Sequence, residues 1–120
     1  MTEFFKDEKN EKIVFGKEDF FVDHREGLVI NWIVPNAQKN EMEPILIELS
    51  PHQTSQIISP HEGEEFGYVL AGKVVLYNGD KKHAIRKGNT FYIKGNDSHY
   101  LKNETNQIAT VLWICTPPIF

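Results

Sequence analysis

The sequence predicts an all-β domain, a sandwich or barrel of about eight to ten short strands. Three observations predict it. Runs rich in Val, Ile, Phe, Tyr and Trp follow one another from Ile13 to the end, each closed by turn residues. Helical periodicity is absent over the same span. In EPILIELS, Ile45, Ile47 and Leu49 alternate with Leu46 and Glu48, the period of two that a half-buried strand requires.

Residues 1–12, MTEFFKDEKNEK, mix charged and polar residues behind Phe4-Phe5 and read as a linker. IVFGKEDFFVDH and LVINWIVP follow, separated by Arg25-Glu26-Gly27. EPILIELS comes next, and after the loop around Pro51 come SQIISP, EFGYVLAG, KVVLYNGDKKHAIRKG, NTFYIKG and the apolar run ATVLWICTPP. Asn78-Gly79 signals a two-residue hairpin, because both central residues of a type I′ turn need positive φ. Ala71-Gly72 is expected to turn the strand pair before it. No internal repeat and no low-complexity tract interrupts the pattern.

Composition narrows the function classes. The chain has 120 residues, enough for one domain, with 40% hydrophobic and 25% charged residues and a net charge of −4. That charge argues against a nucleic-acid-binding surface on these residues, which would need clustered Lys and Arg. The start has no apolar h-region of a signal peptide, and no run approaches the ~20 apolar residues that span a bilayer. The single cysteine, Cys115, permits no intrachain disulfide and reads as a buried thiol in a reducing cytoplasm.

The chemistry concentrates in SPHEGEEFGYVLAG, residues 59–72. His61 and Glu65 in one straight strand would lie ~13 Å apart, at about 3.3 Å per residue. Two ligands each ~2 Å from one metal cannot bridge that distance, so shared coordination demands a bend between them. Gly63 permits the bend, and Pro60 keeps the preceding segment from pairing as a central strand. A third ligand must come from elsewhere, and His99 in KGNDSHYLKN is the candidate. Two histidines and a carboxylate suit non-haem Fe(II), with Zn(II), Mn(II) and Ni(II) as alternatives. Taken singly, each residue also has a plainer reading as a solvated charge or polar cap. His24, His52 and His83 lie in turn-like or exposed-strand contexts and are assigned no role. No Ser/His/Asp arrangement, glycine-rich phosphate loop or CxxC pair occurs, and no catalytic residue is assigned.

These motifs resemble the cupins. Ser59-Pro60-His61-Glu62-Gly63-Glu64-Glu65, then Gly72, follow the first cupin motif, with Ser59 where its first histidine stands. GNTFYIKGNDSHYLKN, from Gly88 through His99 to Asn103, follows the second, with Lys94 for the usual proline and Asn96 for the usual glycine. The resemblance implies a double-stranded β-helix, or jelly roll, over residues 13–120. It implies metal-ligand positions at His61, Glu65 and His99, for one divalent metal. Ser59 leaves either a three-ligand site or a pocket that has given up its metal.

HEGEEFGYVLAG, MEPILIEL and the ending VLWICTPPIF resemble more narrowly the C-terminal cupin domain of helix-turn-helix transcription regulators of the Xre type. The implied role is a small-molecule-sensing domain in a cytoplasmic homodimer, touching DNA only through an N-terminal helix-turn-helix domain outside these residues. The alternative is a mononuclear non-haem metal enzyme of the oxygenase or epoxidase kind. Tyr68, Tyr92, Tyr100 and Lys94 would then be candidates to orient a substrate.

Overall fold

The computed structural model describes residues 12–120, so the expected linker lies outside the described residues except for Lys12. Nine strands form in chain order. They are β1 (Phe21–Arg25), β2 (Leu28–Trp32), β3 (Glu43–Leu49), β4 (Glu64–Ala71), β5 (Lys73–Asn78), β6 (Lys81–Arg86), β7 (Thr90–Lys94), β8 (His99–Lys102) and β9 (Ala109–Thr116). Two single-turn 3-10 segments, Lys17–Asp19 and Ala37–Lys39, are the only helical structure among the described residues. None of these helices is long and apolar enough to cross a membrane.

Six strands form one sheet in the order β1-β2-β3-β9-β4-β7, and three form a second in the order β6-β5-β8. Every pairing is antiparallel. The inner faces share one core. Ile30, Ile45, Ile47, Leu49, Val69, Val111 and Trp113 contribute from the larger sheet, and Val74, Leu76, Ile85 and Leu101 from the smaller. The alternation read in EPILIELS is the burial pattern of β3, with every second residue from Glu43 to Leu49 buried. The same alternation runs through β9. Two packed antiparallel sheets with one interior form the jelly roll expected above.

Three local expectations shift. The β5–β6 hairpin forms, but Asn78 is its last paired residue, opposite Lys81, so Gly79-Asp80 make the turn. Only Gly79 takes positive φ, +62°, where a type I′ turn would need two such residues. At Ala71-Gly72 the chain turns a corner between sheets, because β4 and β5 belong to different ones. SQIISP is no strand either. Only Ile58 within it forms an isolated bridge, to His99, as Thr54 just before it does to Lys102, and Pro60 stops the ladder from extending.

The loop between β8 and β9 is closed by buried Asn103. Its amide donates to the carbonyls of Leu49 (2.9 Å) and Gln107 (2.6 Å) and accepts from Thr105 N (2.9 Å) and Oγ1 (2.7 Å). A buried amide satisfied on both sides fixes the loop that follows His99's strand.

Candidate metal centre

One strand from each sheet and the loop before β4 build the site. Glu65 is the second residue of β4 and points inward, with Ile93 of β7 and Cys115 of β9 as its cross-strand neighbours. His99 opens β8 in the smaller sheet, opposite Asn78. His61 stands outside any strand, in the loop before β4. The bend foreseen between His61 and Glu65 is there, and Gly63 makes it with φ +138°. A Cβ on Gly63 would lie 2.0 Å from the carbonyl oxygen of Thr116, so no other residue fits without moving β9.

His61 is strapped against Gly95, which sits just after β7. His61 N donates to Gly95 O (2.7 Å), and Gly95 N donates to Gly63 O (3.1 Å). A Cβ at Gly95 would lie 2.5 Å from the His61 carbonyl oxygen and 2.7 Å from its Nε2, so His61 occupies space that only glycine leaves open.

The three predicted ligands converge. His61 Nε2 lies 2.8 Å from Glu65 Oε2, and His99 Nε2 lies 2.6 Å from the same oxygen. One ligand atom from each residue falls within 4.8 Å of the others. The side chains of Glu65 and His99 are fully buried, whereas that of His61 is 16% exposed. His61 therefore forms the solvent-side wall of the centre.

Hydrogen bonds to the outer atoms orient all three groups. His61 Nδ1 meets Glu62 O at 3.1 Å, and His99 Nδ1 meets Asp97 O at 2.9 Å. A carbonyl oxygen only accepts, so each Nδ1 carries the proton and donates. Each Nε2 is thereby left to present its lone pair inward. Trp113 Nε1 donates to Glu65 Oε1 at 2.8 Å and leaves Oε2 for the histidines.

Two imidazole lone pairs and a carboxylate oxygen aimed at one point repel unless a cation lies between them. Protons can serve, and a divalent ion can serve better. In the metal-free state burial works to raise the Glu65 pKa, but the bonds from His99 and His61 outweigh it and hold the carboxyl below its ordinary range. Burial likewise works against charged His99, yet the bond to Glu65 raises its pKa above the ordinary value. The donor set, the fixed tautomers and the carbonyl and indole partners behind them fit one divalent metal held by His61, Glu65 and His99. Ser59 is exposed.

Sequence reasoning missed three contributors: Trp113, Gly95 and Glu43. Trp113 was read only as part of an apolar run, and Gly95 only as turn punctuation. Cys115 is fully buried, as its apolar run predicts, and its thiol pKa is raised by burial and then by Glu65 and Glu43, so it stays protonated. Glu43 is fully buried and accepts from Trp32 Nε1 (2.8 Å) and from the backbone N–H groups of Ile119 and Phe120 (2.7 Å each). Its signal was legible, because Glu43 falls in the inward phase of Ile45, Ile47 and Leu49. Of the residues considered for orienting a substrate, Tyr68, Tyr92 and Lys94 are exposed, and Tyr100 stacks on Tyr77 at 4.8 Å. His24, His52 and His83 are exposed and outside the cluster.

Known proteins resemble this chain in sequence or in fold. An uncharacterized protein of Methanocaldococcus jannaschii is 25% identical over 96 residues, covering 78% of this chain and 77% of its own. The crystal structure of an HTH_3 family transcriptional regulator from Vibrio cholerae superposes with a TM-score of 0.67 at 23% identity, covering 78% of this chain. This chain spans only 52% of that regulator's length. The crystal structure of Fe(II) HppE superposes with a TM-score of 0.73 at 17% identity, covering 88% of this chain and 61% of that one. At such identities the structural likenesses establish the fold alone. The model of the Cupin domain family, however, matches residues 45–115, more than half of the sequence, and the match includes His61, Glu65 and His99. The chain belongs to the cupin family.

Proposed function

We propose that this domain is the small-molecule-sensing cupin half of a cytoplasmic, homodimeric transcription regulator, holding one divalent metal on His61, Glu65 and His99. The observation that carries the metal is the convergence of His61 Nε2 and His99 Nε2 on Glu65 Oε2, with both Nδ1 atoms committed to backbone carbonyls. The regulator reading is supported by the chain's likeness to about half of the Vibrio cholerae regulator. DNA contact falls to a helix-turn-helix module outside these residues, in line with the net charge of −4 here. Residues 1–12 then serve as the linker and 13–120 as the sensing domain.

In this reading the residues act as a binding site whose occupancy biases the dimer. That requires different ligand affinities in two arrangements of the protein. A bound divalent ion supplies a Lewis-acidic centre for anionic or carbonyl oxygens of a ligand. Glu65 supplies the negative charge, His61 and His99 the neutral donors, and Trp113 keeps the carboxylate turned toward them.

A second reading is favoured by one observation: the same two-histidine, one-carboxylate set suits non-haem iron enzymes, and Fe(II) HppE shares the fold. The tests separate the readings. Metal titration by calorimetry, followed by elemental analysis, should give one divalent ion (Fe, Mn, Ni or Zn) per chain. His61→Ala and His99→Ala should each lose most of it, and His83→Ala should keep it. Equal retention by all three variants refutes the site. Consumption of O₂ by the iron-loaded protein with candidate small molecules would support the enzyme over the sensor.

A further inference from the structure

The metal centre does not exhaust the polar chemistry of the barrel interior. Glu43, Cys115 and Glu65 stand side by side across β3, β9 and β4, all facing inward. At about 4.8 Å between strands, two carboxylates thus share roughly 10 Å of one sheet face. Glu65 is explained by the histidines. Glu43 has no cation within ion-pairing distance among the described residues.

What Glu43 holds is the chain itself. After β9, Pro117-Pro118 cannot extend the ladder, because proline has no N–H to donate. The chain leaves the sheet and folds back, so that Ile119 and Phe120 reach the barrel interior. Their consecutive backbone N–H groups both donate to Glu43 Oε1, each at 2.7 Å. The Phe120 ring packs edge-on against Trp113, with centroids 5.0 Å apart. Trp113 is the residue that holds Glu65, so one indole separates Phe120 from the metal ligands. Ile119 and Phe120 remain only half-buried, while the core around them is sealed.

A buried carboxylate without a counter-charge is a costly way to anchor a tail, since an apolar residue would continue the phase of Ile45 and Ile47 at lower cost. Its particular capacity is to accept adjacent N–H donors. We propose that the space between Glu43 and Trp113 is a recognition subsite for an organic ligand, namely a compact aromatic or branched apolar group carrying adjacent N–H donors. Ile119 and Phe120 occupy it as a displaceable plug. Glu43 is the specificity residue, Trp113 the wall shared with the metal centre, and Trp32 the donor that fixes Oε2 of Glu43. An open groove of about 770 Å³, lined by Met42, Glu62, Gly63, Thr116 and Pro117, lies where the tail departs and gives the released segment a place to lie. The proposal rests on the sensing role and names the ligand class for it.

Every arm of the test uses metal-free protein, so that its outcome is independent of whether the three-ligand site holds a metal. In the intact chain, the amides of Ile119 and Phe120 should exchange with solvent about 100-fold faster than those of Val111 and Trp113, because only the tail opens locally. Equal protection overturns the proposal. Phenylalaninamide, which carries the ring and the donors, should quench tryptophan fluorescence saturably in Phe120→Ala, with a Kd about tenfold lower than in the intact chain. Adding Glu43→Leu, which removes the acceptor, should abolish that gain. Binding that ignores Glu43, or that is absent from Phe120→Ala, overturns it. So does loss of a cooperative melt in Phe120→Ala, which would make the ring core rather than plug.

Discussion

Replacing His99 with alanine tests the centre as a piece of physical chemistry before any metal is added. In the metal-free protein His99 Nε2 lies 2.6 Å from Glu65 Oε2, a bond that raises the His99 pKa and lowers that of Glu65, and neither side chain is exposed. Removing it strands a carboxylate beneath the surface, and breaking a buried pair in this way costs ~3–5 kcal/mol. The entropy of unfolding scales as ~2.1 cal/mol/K per residue, so a chain of this length carries roughly 250 cal/mol/K and 1 kcal/mol moves Tm by ~4 °C. His99→Ala should therefore lower Tm by ~12–20 °C. His61 touches the same oxygen, at 2.8 Å, but its side chain is 16% exposed. Water can enter the space it vacates and solvate Oε2, so His61→Ala should cost only ~1 kcal/mol, or ~4 °C. Scanning calorimetry at pH 6 with a chelator present measures both. Equal shifts, or a larger one for His61→Ala, would refute the claim that burial, rather than contact distance, sets the strength of these two bonds.

Further outcomes follow from the same geometry. Glu65, held below its ordinary 4.5, contributes stability above that pH and loses it as pH falls through its lower folded value. His99, held above its ordinary 6.5, contributes below that pH and loses it as pH rises through its folded value. The metal-free protein should thus gain from this pair chiefly between 4.5 and 6.5, and Glu65→Gln should flatten the profile in melts from pH 4 to 9. Metal affinity should show the opposite trend and strengthen as pH rises, because an ion must displace the His99 proton; pH-independent affinity would count against His99 as a ligand. Gly95→Ala places a methyl 2.7 Å from His61 Nε2 and should weaken metal binding ~10–100-fold while leaving the fold intact by circular dichroism. Cys115, fully buried and with its pKa raised, should resist thiol reagents in the native state and react fully on unfolding; rapid native labelling would contradict its place in the core.

The sequence by itself determined the strand content and the phase of burial, and it named the three residues that the fold brings together as a candidate metal cluster. Alternation in EPILIELS names β3 and its inward face, and periodicity needs only local order to be read. Gly63 could be identified as the bend because the chain distance from His61 to Glu65 excludes a straight strand. Only the tertiary structure decided what surrounds those residues. Whether Ala71-Gly72 makes a hairpin or a corner depends on which sheet β5 joins, and that is settled by long-range pairing with β8. Trp113 and Gly95 meet the site through contacts 48 and 34 residues away in the chain, which no spacing encodes. Glu43 lies between. Its inward phase was written in the sequence, but its partners Ile119 and Phe120 lie 76 and 77 residues further on. A carboxylate on an apolar phase announces that something must satisfy it, and only the folded chain shows that the answer is its own tail.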